Sequence, residues 1–358
     1  MTSEFTVGNT QVGDGHDTYF IADVASNHDG ELSRAIDLIF LAAEAGANAA
    51  KFQNFYAKTL VSDRSFKDLV DVKSHQSAWK KSVYEMYDAA SISLDWTQEL
   101  VNACKQAGIH YFTSPYDLSI LGDLEPFVVA WKIGSGDITW HQALEIYAAS
   151  SLPIFLATGA STEEDVKAAM HILTRTGKTI CLMQCNTNYT GSRENFNYIE
   201  LNVLKRYKDL FPECILGLSD HTPGHTTVLG AVALGARVIE KHFTDDICRD
   251  GADHGFSMTP QSWSEMVDRT RDLEAALGSG DKRVMPNEQS TVIVQRRSLH
   301  VTRKIEKGDR IGEQDLVALR PCPPGSFQPF ETGKVVGRKS KRTLEQGDCL
   351  KLDDLSET

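Results

Sequence analysis

Two histidines, His221 in GLSDHT and His242 in RVIEKHF, each follow a short apolar run. Two imidazoles with a nearby carboxylate, Glu240 or Asp23, suit a divalent cation such as Mn2+ or Mg2+ with positions left open for water. Two lysines, Lys51 in AAKFQ and Lys132 in AWKIG, end two further runs. A lysine at a buried strand end is costly unless an anion meets it. Ser135 stands between Gly134 and Gly136, where small neighbours let backbone N–H groups approach an oxyanion or phosphate. Singly, each feature has a plain alternative: a solvated rim histidine, or a glycine turn. Together they describe an anion site beside a metal site. His28, His225 and His254 are weaker ligand candidates, and His75, His141, His171 and His300 read as structural or surface residues.

The elements that must position these groups are short apolar strands alternating with helical stretches. Tyr19 to Val24 is a buried strand, and Glu31 to Ala45 follows with apolar residues at helical spacing. Gly46 stops that helix and Ala49 to Phe52 begins a new strand. The same helix–Gly–strand unit recurs around Gly108 and Gly235, which sit where a left-handed C-cap is needed. Phe127 to Ile133, Pro153 to Ala157, Thr179 to Cys185 and Ile215 to Leu218 are further strands. About eight such units within some 280 residues predict a (β/α)8 TIM barrel rather than a doubly wound sheet, since no GxGxxG follows the first strand. Barrel enzymes place catalytic groups at the C-terminal strand ends. Here those ends read Asp23, Gln53, Thr113-Ser114, Lys132 to Ser135, Thr158, Asn186 to Tyr189, Ser219 to His221 and Glu240 to His242.

The pattern changes near Gly278. Residues 1–280 are expected to form the barrel, 281–295 a linker, and 296–358 a small, mostly-β domain. Within that domain KIEKGDRIGEQDL and TLEQGDCLKLDDL form a near-repeat that predicts pseudo-symmetry. The formal charge is −12, without a basic cluster, which argues against nucleic acid and anionic membrane as partners. Seven scattered cysteines without a CxxC pair read as reduced thiols, and with no apolar run of membrane-span length the expected compartment is the cytoplasm.

The phrases IADVASNHDGELSRAIDL, GANAAKFQNF, FTSPYD, WKIGSGDI, ATGAST, GLSDHT, ALGARVIEKHFT and GADHGFSMTP follow one another in order. Their order and spacing resemble the sialic acid synthase family, the phosphoenolpyruvate-using nonulosonate synthases. The C-terminal segment resembles that family's antifreeze-like (SAF) domain. The resemblance implies condensation of phosphoenolpyruvate with N-acetylmannosamine or a related 2-acylamino hexose. It implies that Lys51, Thr113, Lys132, Ser135 and Ser219 hold phosphoenolpyruvate, with Gln53 nearby, and that His221 and His242 bind the metal. Asn188, Tyr189 and Asp253 would contact the sugar, and Glu240 would serve acid–base or water-positioning work. It further implies a domain-swapped homodimer in which Arg320 reaches the neighbouring protomer's barrel.

The chain departs from the family pattern at Asp23 and Ala25, where Glu and Gly are usual, and at Ala157, where Ser is common. It departs again at Asn186-Thr187 and in RPCPPGSFQPF. These departures leave the sugar open. Two other readings are a Schiff-base aldolase or lyase using Lys132 or Lys51, and a non-enzymatic sugar- or ice-binding protein.

Overall fold

Side chains alternate between two layers along each barrel strand, and this period of two separates the chemistry from the packing. The computed structural model describes residues 3–69, 76, 79 and 81–356; His75 lies outside them. A hairpin of β1 (Glu4–Val7) and β2 (Thr10–Gly13) precedes eight parallel strands: β3 (Tyr19–Asp23), β4 (Ala49–Asn54), β5 (His110–Pro115), β6 (Trp131–Ile133), β7 (Ile154–Ala157), β8 (Ile180–Cys185), β9 (Ile215–Asp220) and β10 (Ala236–His242). They close into a barrel in sequence order, β10 pairing with β3. This is the TIM barrel that the strand–helix alternation predicts.

Tyr19, Ile21, Ala49, Phe112, Phe155, Met183 and Val238 point inward and pack as one cluster. The intervening Phe20, Ala22, Ala50, Phe52, Trp131, Leu182 and Ile239 pack outward against the helices. The helix Leu32–Glu44 buries Ala35, Leu38, Ile39 and Ala42, the three-and-four spacing of a single face. Gly108 caps the helix Thr97–Ala107 at φ 75°, a left-handed conformation that suits glycine. Val7 and Val12 of the hairpin join the inner cluster, and Phe5 meets Phe155 edge-on at 5.4 Å. The hairpin thus closes the end where the strands begin, and the polar strand ends occupy the other. β6 is shorter than the apolar run from Phe127 suggests, because the Phe127 N–H bonds to the Leu124 carbonyl and completes a turn.

Two compact units are present, one ending at Gly278 and one beginning at Ser279. In the second, β11 (Ser298–Val301) and β12 (Leu316–Leu319) pair antiparallel, and isolated bridges supply the remaining β pairing. Residues 281–295, read from sequence as a linker, carry a turn at Pro286–Glu288 and a helix at Gln289–Gln295. That helix is tied to its own unit, since Cys322 N–H bonds to Ile293 O. The near-repeat folds as two equivalent halves. Ile305 and Leu344 exchange reciprocal backbone hydrogen bonds of 2.9 Å. Arg303 pairs with Asp315 at 2.7 Å, and Arg342 with Asp354 at 2.6 Å, each twelve residues on. No described helix is long and apolar enough to cross a membrane.

Candidate active site

The strand ends surround a cavity of about 400 Å³. Its floor is a chain of buried charges. Lys51 Nζ lies 2.7 Å from Asp23 Oδ2 and 3.8 Å from Glu240 Oε1, and Lys132 Nζ lies 3.3 Å from the same Glu240 oxygen. Ser219 donates its hydroxyl to Glu240 Oε1 at 3.2 Å, while Glu240 Oε2 is buried without a partner. Gln53 Nε2 donates to Asp23 Oδ2 at 3.4 Å. Burial works against the charge on Lys51, but Asp23 and Glu240 outweigh it and hold the pKa above its ordinary value. Lys51 is therefore an ammonium at neutral pH and not the free amine that a Schiff base requires.

His221 and His242 lie with ring centroids 5.4 Å apart. His221 Nδ1 is 2.8 Å from the Asn186 carbonyl oxygen, which assigns the proton to Nδ1 and the lone pair to Nε2. Burial, followed by the neighbouring His242, lowers the His221 pKa to about 3, so the ring is neutral, the form that ligates metals. His242 Nδ1 is buried without a partner, and Nε2 stands 3.5 Å from Asp23 Oδ2. Among the described residues no group of three or more His, Cys, Asp or Glu forms a ready ligand cluster. The histidine pair could hold a divalent ion only in an open site, where waters or substrate oxygens complete the coordination.

Ser135 begins a short turn after β6, and its Oγ accepts the Gly159 N–H at 2.9 Å. This closeness needs small neighbours. A Cβ at Gly159 would lie 2.4 Å from Thr187 Cγ2, and one at Gly134 would lie 2.6 Å from the Tyr116 hydroxyl. Tyr189 and Asp253 also line the cavity, and Asp253 is anchored by the Ser26 backbone N–H at 3.0 Å.

Two residues expected at the site, Thr113 and Asn188, lie outside the cavity lining. Thr113 does not line the cavity: it faces outward from β5 and donates to Asn54 Oδ1 at 2.6 Å. Its neighbour Ser114 faces in, with Oγ 3.5 Å from Lys51 Nζ. Phe112 packs in the inner cluster, so the alternation along β5 makes Ser114, not Thr113, the inward hydroxyl. Asn188 is exposed, and its Oδ1 accepts the Thr190 hydroxyl at 2.7 Å. Arg320, which the resemblance assigns to a neighbouring protomer's site, is an exposed residue of the second unit. Sequence reading also missed cavity residues. Tyr116 and Asp137 follow strand ends, and alternation with turn geometry is the only signal for them. Burial raises the Asp137 pKa to about 6, although Lys132 pulls the other way.

Behind the histidines lies a second ion pair that alternation turns away from the cavity. Lys241 bonds to Asp220 Oδ2 and, at 2.6 Å, to the Thr222 carbonyl oxygen. Asp220 Oδ2 also accepts the Thr222 and Thr227 hydroxyls at 2.8 and 2.7 Å. Burial opposes the charge on Asp220, but Lys241 and these hydroxyls hold its pKa below the usual value. Lys241→Met leaves that carboxylate buried and unpaired, and is expected to cost roughly 3–5 kcal/mol in urea unfolding at pH 7. The wild-type contribution of Asp220 is present above the ordinary aspartate range and fades as pH falls through it, because the unfolded chain takes up the proton first. A Lys241→Met protein as stable as wild type would remove the pair from the list of what holds β9 to β10.

Comparison with known proteins completes this picture. Residues 38–282 match the NeuB family and residues 296–356 the SAF domain. The chain is 33% identical over 330 residues to the N,N'-diacetyllegionaminic acid synthase of Campylobacter jejuni, covering 90% of this chain and 97% of that protein. It is 31% identical over 340 residues to human N-acetylneuraminate-9-phosphate synthase, covering 95% and 93% of the two chains. The crystal structure of an N-acetylneuraminic acid (sialic acid) synthetase from Leptospira borgpetersenii superposes with a TM-score of 0.71 at 28% identity, covering 82% of this chain and 96% of that one. With buried lysines and a histidine pair at one barrel mouth and matches of this extent, the chain belongs to the NeuB family of phosphoenolpyruvate-dependent nonulosonate synthases and carries a C-terminal SAF domain.

Proposed function

We propose that this cavity joins phosphoenolpyruvate to the open-chain aldehyde of a 2-acylamino hexose, N-acetylmannosamine or a relative, giving a nine-carbon 2-keto acid and phosphate. The observation that carries this reading is the convergence of Lys51, Lys132, Ser135 and Ser219 on the cavity that His221, His242 and Glu240 also line. Family membership displaces the Schiff-base and non-enzymatic alternatives. Lys51 and Lys132 hold the carboxylate and phosphate of phosphoenolpyruvate, helped by the hydroxyls of Ser135 and Ser219. Carbon 3 of phosphoenolpyruvate bonds to the aldehyde carbon as the carbonyl π pair moves to oxygen. Water adds to the carbon 2 cation and gives up one proton, which ends on the new alkoxide; the resulting phosphohemiketal then breaks its C2–O bond to phosphate, and the hydroxyl proton leaves with the phosphate as the ketone forms. His221 and His242 would hold a divalent ion, Mn2+ or Mg2+, which would supply Lewis acidity in this cavity. Glu240, with Oε2 free, is placed to orient the water and take its proton. Phosphate release from phosphoenolpyruvate, measured against a panel of acylamino hexoses, tests the reading; release that ignores the sugar would defeat it.

The reading extends to a homodimer whose sites are completed in trans by Arg320. A guanidinium stays charged and offers several fixed donors, and its hydrogen bond to a sugar acyl oxygen is worth roughly 1.5–3 kcal/mol, or about ten- to a hundredfold in sugar affinity. Arg320→Ala chains mixed with His221→Ala chains are expected to regain activity, since one site in each mixed dimer then holds both parts. Proven subunit mixing without recovery would refute sharing.

A further inference from the structure

The chain bends sharply where it leaves β3. Asp23 Oδ1 accepts the Ala25 N–H at 3.1 Å, the turn in which a short carboxylate bonds the backbone two residues on. The Asn27 N–H bonds to the Val24 carbonyl at 2.9 Å and closes the bend. Ala25 sits inside it at φ 45°, a left-handed conformation that costs any residue with a Cβ and persists only where its surroundings impose it. The bend aims both donors of Ser26 at one atom: its N–H and its hydroxyl meet Asp253 Oδ2, at 3.0 and 2.5 Å. Ser26 and Asp253 both line the cavity, and among the described residues Asp253 Oδ1 takes part in no hydrogen bond. The backbone of Asp253 is fixed separately. Its carbonyl accepts the Ser257 hydroxyl at 2.6 Å, and the next residue, His254, is held by Thr244 at 2.7 Å and by Asp29 at 2.9 Å.

From this geometry we infer that Ser26 is a positioning residue for the sugar: it locks the rotation of the Asp253 carboxylate so that Oδ1 is presented to a sugar hydroxyl. The inference rests on the proposed synthase reading and on the sugar contact that the family resemblance gives Asp253. Because the Asp253 backbone has its own ties, the freedom that Ser26 removes is that of the side chain. An acceptor held in place before its ligand arrives loses less entropy on binding. A hydrogen bond from a hydroxyl to a carboxylate is charge-assisted and directional, so its strength depends on that aim. Asp23 thereby gains a second task. Its Oδ2 meets Lys51 on the anion floor while its Oδ1 holds the turn that points Ser26. A glutamate at that position carries its carboxylate one methylene further from the N–H two residues on, so the shorter acid, Ala25 and Ser26 act as one device. A plain structural tether between two loops that lie 227 positions apart is the alternative, and it predicts a loss of stability rather than of sugar binding.

The test follows phosphate release from phosphoenolpyruvate by the full-length protein with Mn2+, using N-acetylmannosamine or 2,4-diacetamido-2,4,6-trideoxymannose, whichever the wild type turns over. Ser26→Ala is expected to raise the sugar KM by about tenfold or more, the worth of one hydrogen bond to a charged group. The KM for phosphoenolpyruvate and the thermal midpoint should hold. Ser26→Thr keeps the hydroxyl and should restore the sugar KM. In an Asp253→Ala background, Ser26→Ala should cause no further fall in kcat/KM for the sugar, because a residue that acts through Asp253 then has nothing left to position. A sugar KM unmoved by Ser26→Ala, or an undiminished effect in the Asp253→Ala background, would overturn the inference and leave the synthase reading standing. A lower thermal midpoint with both KM values raised alike would do the same and make Ser26 a tether. No phosphate release by the wild type with either sugar would overturn both.

Discussion

The double substitution His221→Ala/His242→Ala is expected to reduce phosphate release from phosphoenolpyruvate by about 10³-fold or more. Lewis-acid stabilisation of a developing alkoxide is worth several kcal/mol, and each 1.36 kcal/mol is a factor of ten. Exhaustive chelation should have the same effect on the wild-type protein, with recovery on adding Mn2+ or Mg2+. Both rings sit at the cavity with few polar ties to the backbone: His221 donates to one backbone carbonyl, and His242 Nδ1 is without a partner. Circular dichroism of the variant should therefore stay native, and Mn2+ binding followed by electron paramagnetic resonance should vanish together with activity. Full activity after chelation, or in the double variant, would sink the metal assignment.

Asp23→Asn is expected to lower kcat/KM by about 10²–10⁴, the range of a group that handles protons or positions the one that does. Asp23 Oδ2 stands between Lys51 at 2.7 Å and His242 at 3.5 Å, so it couples the anion floor to the histidine pair. An amide there removes the negative charge that faces both. The side chain is one methylene shorter than the glutamate usual in the resembling family, so it cannot place its carboxylate at the same point without a shift. Asp23→Glu is accordingly expected to change the ranking of sugars more than the KM for phosphoenolpyruvate. Wild-type kinetics for Asp23→Asn on every accepted sugar would make Asp23 structural only.

Much of this was legible in the residues themselves. Strand–helix alternation and the glycines after the helices imply the barrel, because parallel strands need helical crossovers and a helix ending in a left-handed residue needs glycine. The polar groups that end the strands mark the mouth. The resemblance carried the reaction class, because its motifs are those strand ends in order. The SAF near-repeat reflects matched halves, with Arg303–Asp315 and Arg342–Asp354 at the same spacing.

What the chain order alone left open was which of two adjacent polar residues faces the cavity. FTSPYD offers Thr113 and Ser114 side by side, and no apolar–polar contrast between them sets the phase; the register of β5 against β4 turns Ser114 toward Lys51 and Thr113 toward Asn54. In SDH and EKH the same alternation sends Ser219, His221, Glu240 and His242 inward and locks Asp220 to Lys241 behind them. The clamp of Ser26 on Asp253 was equally hidden, because the two lie 227 positions apart in the chain and meet only through the tertiary fold. Local sequence encodes period and propensity, which set the elements and their polar ends. The facing of each side chain and the meeting of distant segments depend on strand register and barrel closure, which are properties of the whole packed chain.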